Sequence, residues 1–216
     1  MNRADLSLYL VLDPDLCGGA AGMVETALAA VRGGCTVVQL RAPQWKKRAM
    51  AECGRALMKA LAPSGVPLIV DDHADVAFAI GAQGVHVGQK DLEPEEVRRL
   101  MGPKALIGYS VSNAEQLEAA RAAVASGAAD YFGTGPIRST ATKPDAAAPL
   151  GVEGFAKLCA ASPCPMVAIG SVNAGNAEAL ARAGAAGIAV VSAICGQKDP
   201  EAASRELLAR FLAGRK

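Results

Sequence analysis

The sequence predicts an α/β protein, a single (β/α)8 TIM barrel over residues 1–216. Three observations predict it. Eight short β-like runs alternate with helix-like stretches through the whole length. The runs are continuously apolar rather than alternating, as strands covered on both faces are. No linker or change of composition divides the repeat. Ala, Val, Leu and Ile dominate and aromatics supply 4% of the chain, which suits a barrel interior of small and branched side chains.

The strand runs fall at 8–12, 36–40, 67–70, 84–87, 106–109, 130–133, 166–169 and 187–191. After the first run, residues 21–32 place Met23, Ala27, Ala30 and Val31 on one helical face. The segment Gly33-Gly34-Cys35-Thr36 then ends that helix and leads into the second strand. The same Gly-led signal returns at 81–84, 127–130 and 184–187, each time between a helix and a strand. Pro94 after Glu93 and Pro200 after Asp199 open two helices. Over 114–125, Leu117, Ala120 and Val124 share a face while Glu118 and Arg121 point elsewhere. An open doubly wound sheet is the alternative, weakened by the missing GxGxxG in the first βα turn.

Bulk properties exclude several partners. A net charge of +1 provides no broad field for nucleic acid or an anionic membrane, so any anion site is local. No run reaches the ~18 apolar residues of a membrane span, and no secretory h-region opens the chain. The six cysteines form no CxxC pair and no ligand spacing with histidine, as reduced, buried thiols do. The expectation is a cytoplasmic protein, with a homo-oligomer left open.

In a barrel, the residues just after each strand make the functional face. Those positions hold Gln39 and Arg41 after the second strand, Asp71 and Asp72 after the third, and Asp91 after the fourth. Ser110 follows the fifth, and Thr140-Ala141-Thr142-Lys143 lies in the loop after the sixth. Gly170-Ser171 and Val191-Ser192 end the seventh and eighth. Hydroxyls and Lys143 are phosphate-holding groups. The ends of strands seven and eight are a frequent phosphate site of barrels. Asp72 and Asp91, one α-β unit apart, suit Mg²⁺, which takes a few carboxylates together with water and substrate phosphates. Plainer roles stand beside these. Asp71, Asp72 and Asp75 can cap the next helix, whereas Asp91 lies further from a helix start than Glu93. Ser171 and Ser192 can be turn residues, and Arg41 a solvated or ion-paired surface group. His86 reads as a structural histidine inside a strand, His73 as the start of a helix, and Trp45-Lys46-Lys47-Arg48 as a solvated helix start. No nucleophile–His–acid order stands out.

From about Tyr9 to Leu212 the chain resembles the thiamine phosphate synthase family. The resemblance is carried by Val38-Gln39-Leu40-Arg41, Pro67-Leu68-Ile69-Val70-Asp71-Asp72 and Gly84-Val85-His86-Val87-Gly88-Gln89-Lys90-Asp91-Leu92. It continues through Gly135-Pro136-Ile137, Thr140-Ala141-Thr142-Lys143-Pro144-Asp145-Ala146, Ala168-Ile169-Gly170 and Val190-Val191-Ser192-Ala193-Ile194. It implies a transferase joining a hydroxymethylpyrimidine diphosphate to a thiazole phosphate with release of pyrophosphate. By the same resemblance Asp72 and Asp91 hold Mg²⁺, and Gln39, Arg41, Ser110 and Lys143 bind the pyrimidine diphosphate. Thr140, Thr142, Gly170-Ser171 and Val191-Ser192 receive the thiazole phosphate. Lys143, Ser110 and Arg41 are the implied catalytic groups, with Asp71 and Ala141 among the substrate-binding positions.

The chain departs from that pattern at several places. Arg41-Ala42-Pro43 stands for Arg-Glu-Lys, Asp71 for Asn, Ser112 for His, Arg138-Ser139 for Phe-Pro, and Ser171 for a second Gly. Two rival readings are a thiazole tautomerase-like isomerase, which has no diphosphate to hold, and a non-catalytic ligand-binding paralogue of thiamine biosynthesis.

Overall fold

The computed structural model describes residues 4–139 and 148–215. Eight parallel strands close into a barrel in chain order, β1 pairing with β2 on one side and with β8 on the other. They are β1 (Leu8–Leu12), β2 (Val37–Leu40), β3 (Leu68–Asp71), β4 (Gly84–Val87), β5 (Leu106–Ser110), β6 (Tyr131–Thr134), β7 (Met166–Ala168) and β8 (Gly187–Val190). The helices are α1 (Pro14–Cys17), α2 (Ala20–Arg32), α3 (Lys47–Leu61), α4 (Ala74–Ile80), α5 (Pro94–Met101), α6 (Ala114–Ala119), α7 (Arg121–Ala125), α8 (Gly151–Ala161), α9 (Ala174–Arg182) and α10 (Pro200–Ala213). Among the described residues, no helix is long and apolar enough to cross a membrane.

The strands are mostly apolar because both faces are covered, and β1 shows how. Leu8, Leu10 and Leu12 pack in the large core between sheet and helices. Tyr9 and Val11, of opposite parity, pack inside the barrel with Val37, Ile69, Tyr131, Val167 and Ala189. Helix starts follow local chemistry. Asp199 caps α10 by accepting from the Ala202 amide, and Glu93 precedes Pro94 with its own amide donating to Glu96. The helical stretch over 114–125 is two helices, α6 and α7. Ala120 (φ −76°, ψ −7°) tightens the turn between them, although alanine itself favours an unbroken helix. All six cysteines are free thiols, and Cys35, Cys53 and Cys195 are buried.

The barrel has two chemically distinct ends. Its base is apolar inside, and outside it Asp130 Oδ2 accepts from Arg98 Nη2 and from the Ile107 amide, both at 2.7 Å. Two residues along the interior parity from Val37 and Ile69 come Gln39 and Asp71, and four along from Leu106 comes Ser110. Polar side chains are thereby collected at the carboxyl ends of β2, β3 and β5.

Candidate active site

At this mouth Arg41, just past β2, meets Asp71, the last residue of β3. Arg41 Nε lies 3.2 Å from Asp71 Oδ2, and both side chains are largely buried. The ion-paired reading of Arg41 therefore holds, with the partner being another candidate site residue. Asp72 follows with φ +58°, and its amide donates to the His86 carbonyl at 2.8 Å. Asp91 is exposed; its Oδ2 accepts from the Gly88 amide at 2.8 Å, closing the turn after β4. A carboxylate so held keeps lone pairs for another partner. The residue at the start of α5 is Glu93, not Asp91. Asp75 pairs instead with Lys47 at 2.6 Å, and the hydrogen bond from that ammonium lowers its pKa.

Inside the mouth runs a chain of hydrogen bonds that the sequence did not announce. Gln39 Nε2 donates to the Tyr9 hydroxyl at 2.8 Å. The Tyr9 and Tyr131 hydroxyls lie 2.9 Å apart, and Tyr131 is 3.2 Å from His86 Nδ1. His86 Nε2 then reaches Ser110 Oγ at 3.0 Å, while Gln89 Nε2 donates to the Ser110 carbonyl at 2.6 Å. Burial pushes the pKa of both tyrosines up, so both phenols stay protonated. His86 is thus a partner of a candidate site residue as well as a packed strand histidine. Tyr9 and Tyr131 escaped sequence reasoning. Their one signal was a hydroxyl within otherwise apolar strand runs.

The other side of the mouth is built from the ends of β6, β7 and β8. The segments after β6 and β7 run together, the Ile137 amide donating to Ile169 O at 2.9 Å and the Arg138 amide to Gly170 O at 3.2 Å. This close approach needs glycine at 170: φ is +95°, and a Cβ there would lie 2.5 Å from Pro136 Cβ. Ser171 is left-handed too, at φ +54°. Its Oγ donates to Ser139 O at 2.6 Å, and its carbonyl accepts from Asn176 Nδ2 at 3.0 Å. Beyond β8 the Val191 carbonyl accepts from the Ile194 and Cys195 amides, and Gln197 Nε2 donates to Ser192 O. Among the described residues, Asp72 and Ser171 are the non-glycine residues with positive φ. Both flank this mouth, where functional sites commonly hold backbone strain.

The structure thus gathers Gln39, Arg41, Asp71 and Ser110 at the ends of β2, β3 and β5, with Asp72 and Asp91 in the turns after β3 and β4. Gly170, Ser171, Val191 and Ser192 sit after β7 and β8. Thr140, Ala141, Thr142 and Lys143 lie outside the described residues. Among the described residues, no group of three or more His, Cys, Asp or Glu side chains could cage a metal. The donor chemistry here is two carboxylates, Asp72 in the turn after β3 and Asp91, exposed, in the turn after β4. That matches Mg²⁺, which binds through one or two carboxylates plus phosphate and water, rather than a closed zinc centre.

A family model described as thiamine monophosphate synthase matches residues 8–194. The chain is 54% identical to a thiamine-phosphate synthase of Laribacter hongkongensis, over 95% of each chain. It is 51% identical to one from Azorhizobium caulinodans, covering 94% of this chain and 93% of the relative. Among solved structures, a thiamine phosphate pyrophosphorylase from Pyrococcus furiosus superposes with a TM-score of 0.86 at 33% identity, over 99% of both chains. A 3-hexulose-6-phosphate synthase at 19% identity and a TM-score of 0.69 shares the fold.

Proposed function

This chain belongs to the thiamine monophosphate synthase family, and we propose that it joins a hydroxymethylpyrimidine diphosphate to a thiazole phosphate, forming thiamine phosphate and pyrophosphate. The division of the mouth carries this reading. One half, at β2 to β5, offers an amide, a guanidinium, a hydroxyl and carboxylates for a metal-bound diphosphate. The other half, after β7 and β8, offers the turn and backbone groups suited to a monophosphate. Both substrates are small molecules, and the proposed setting is the cytoplasm.

In the reaction the pyrimidine methylene–oxygen bond breaks and its electron pair leaves with the diphosphate. The thiazole nitrogen lone pair then forms the new carbon–nitrogen bond. No proton is gained or lost in the balance, so a general base with a tuned pKa is not required. The protein's task is to hold two anions and to favour the charge growing on the leaving group. Gln39 and Ser110 bind the pyrimidine half, Arg41 and Lys143 place positive charge by the diphosphate, and Ser110 adds a hydrogen bond. Thr140, Ala141 and Thr142, with Gly170, Ser171, Val191 and Ser192, receive the thiazole phosphate. Asp72 and Asp91 would hold Mg²⁺, which supplies countercharge to the diphosphate.

A thiazole tautomerase has no use for a diphosphate, so the carboxylates at the β3 and β4 ends favour the synthase. The test is a coupling assay with both substrates, with and without Mg²⁺, following thiamine phosphate. Mg²⁺-dependent product is expected. Absence of product from folded protein that still binds thiazole phosphate would overturn the proposal.

A further inference from the structure

The buried chain from Gln39 to Ser110 crosses five strands, and its direction is a chemical question. We propose that it is a polarised hydrogen-bond relay that holds His86 as its Nε2–H tautomer and turns the Ser110 hydroxyl towards the mouth as a donor, with Tyr131 as the positioning residue. Five side chains from β2, β1, β6, β4 and β5 take part.

The direction follows from counting protons. A side-chain amide nitrogen can only donate, so the Tyr9 oxygen accepts from Gln39. Tyr9 is 2% exposed, and a buried hydroxyl must place its own proton on a partner. Tyr131 is the hydroxyl it meets, so Tyr9 donates there. Tyr131 is 1% exposed and passes its proton to His86 Nδ1. A neutral imidazole accepting at Nδ1 carries hydrogen at Nε2, which donates to Ser110 Oγ. Ser110, having accepted, directs its own O–H elsewhere.

The interior is shaped for this chain. A Cβ on Gly108 would stand 2.3 Å from His86 Nδ1 and 2.3 Å from Tyr131 Cζ. On Gly133 it would stand 2.7 Å from His86 Cε1. Two glycines on neighbouring strands therefore make room for an imidazole and a phenol, whose centroids are 5.6 Å apart. A phosphate oxygen at neutral pH accepts hydrogen bonds, so a serine locked as a donor suits a diphosphate. This last link rests on the function proposed above, whereas the direction of the relay does not.

Nitrogen-15 NMR of the imidazoles in ligand-free protein tests the relay directly, with His73→Gln to assign the two histidines. The expected result is His86 as the Nε2–H tautomer, moved towards a tautomer mixture by Tyr131→Phe. An Nδ1–H tautomer in the wild type would mean that the chain runs the other way, with Ser110 donating inward, and would overturn the proposal. The wild-type spectrum decides this even if Tyr131→Phe fails to fold. For Ser110, Tyr131→Phe is expected to raise KM for the pyrimidine diphosphate roughly tenfold, about the worth of one hydrogen bond to a charged group. KM for thiazole phosphate is expected to hold, and Ser110→Ala combined with Tyr131→Phe to be no worse than Ser110→Ala alone. Additive losses, or an unchanged KM, would sever Ser110 from the relay. Failure of all coupling activity would count against the function while leaving the tautomer result standing.

Discussion

Asp71 adds a carboxylate where the family resemblance leads one to expect an amide, and the structure shows where its charge goes. It lies against Arg41, so the extra negative charge is neutralised at the expense of an arginine otherwise available to a diphosphate. Replacing Asp71 with Asn is expected to lower KM for the pyrimidine diphosphate several-fold while costing about 3 kcal/mol of stability, the order for removing one charge of a largely buried pair. Steady-state kinetics and a urea titration would measure the two effects; an unchanged KM would remove Arg41 from the diphosphate site. Lys143 is proposed to act on the leaving group, so Lys143→Ala is expected to cut kcat by about 100-fold, as for an electrostatic stabiliser of developing charge. Its melting temperature should barely change. Equal activity in that variant would end the proposed role.

At the scale of elements, positions and roles separate along each strand. Asp130, at the base, ties α5 to the start of β6 through Arg98 and the Ile107 amide. Asp130→Ala is expected to cost about 3 kcal/mol, because it strands a mostly buried guanidinium. It should leave KM for both substrates unchanged at temperatures where the variant is folded; a KM shift would show that base and mouth are coupled. The strands were legible because burial on both faces writes itself as uninterrupted apolar runs: β1 and β4 fall where expected, and the others within a residue or so. Site positions at strand ends were legible for the same reason, since knowing where Leu40 or Val70 ends a run locates Arg41 and Asp71. The break between α6 and α7 was not, as Ala120 carries no breaking signal. Nor was the relay, whose Tyr9 and Tyr131 are 122 residues apart and meet only through barrel closure.

For the whole molecule, ligand binding at the mouth should register as global stability, because the closed sheet links every strand to its neighbours. Saturating pyrophosphate with Mg²⁺ is expected to raise the melting temperature by about 5 °C, and pyrophosphate alone by far less. Asp91→Asn should shrink the Mg²⁺-dependent part; a full shift in that variant would exclude Asp91 from the metal. The seam between β1 and β8 has a further consequence. Leu8 pairs beside Ile188, Cys195 Sγ lies 3.6 Å from Val11 O, and Arg215 Nη1 donates to Ser7 Oγ at 3.1 Å. On the ribosome, the first strand must therefore wait with one hydrogen-bonding edge unsatisfied until β8 has emerged. Until then that edge is open to pairing with another nascent chain, and the last strand acts as its own intramolecular chaperone.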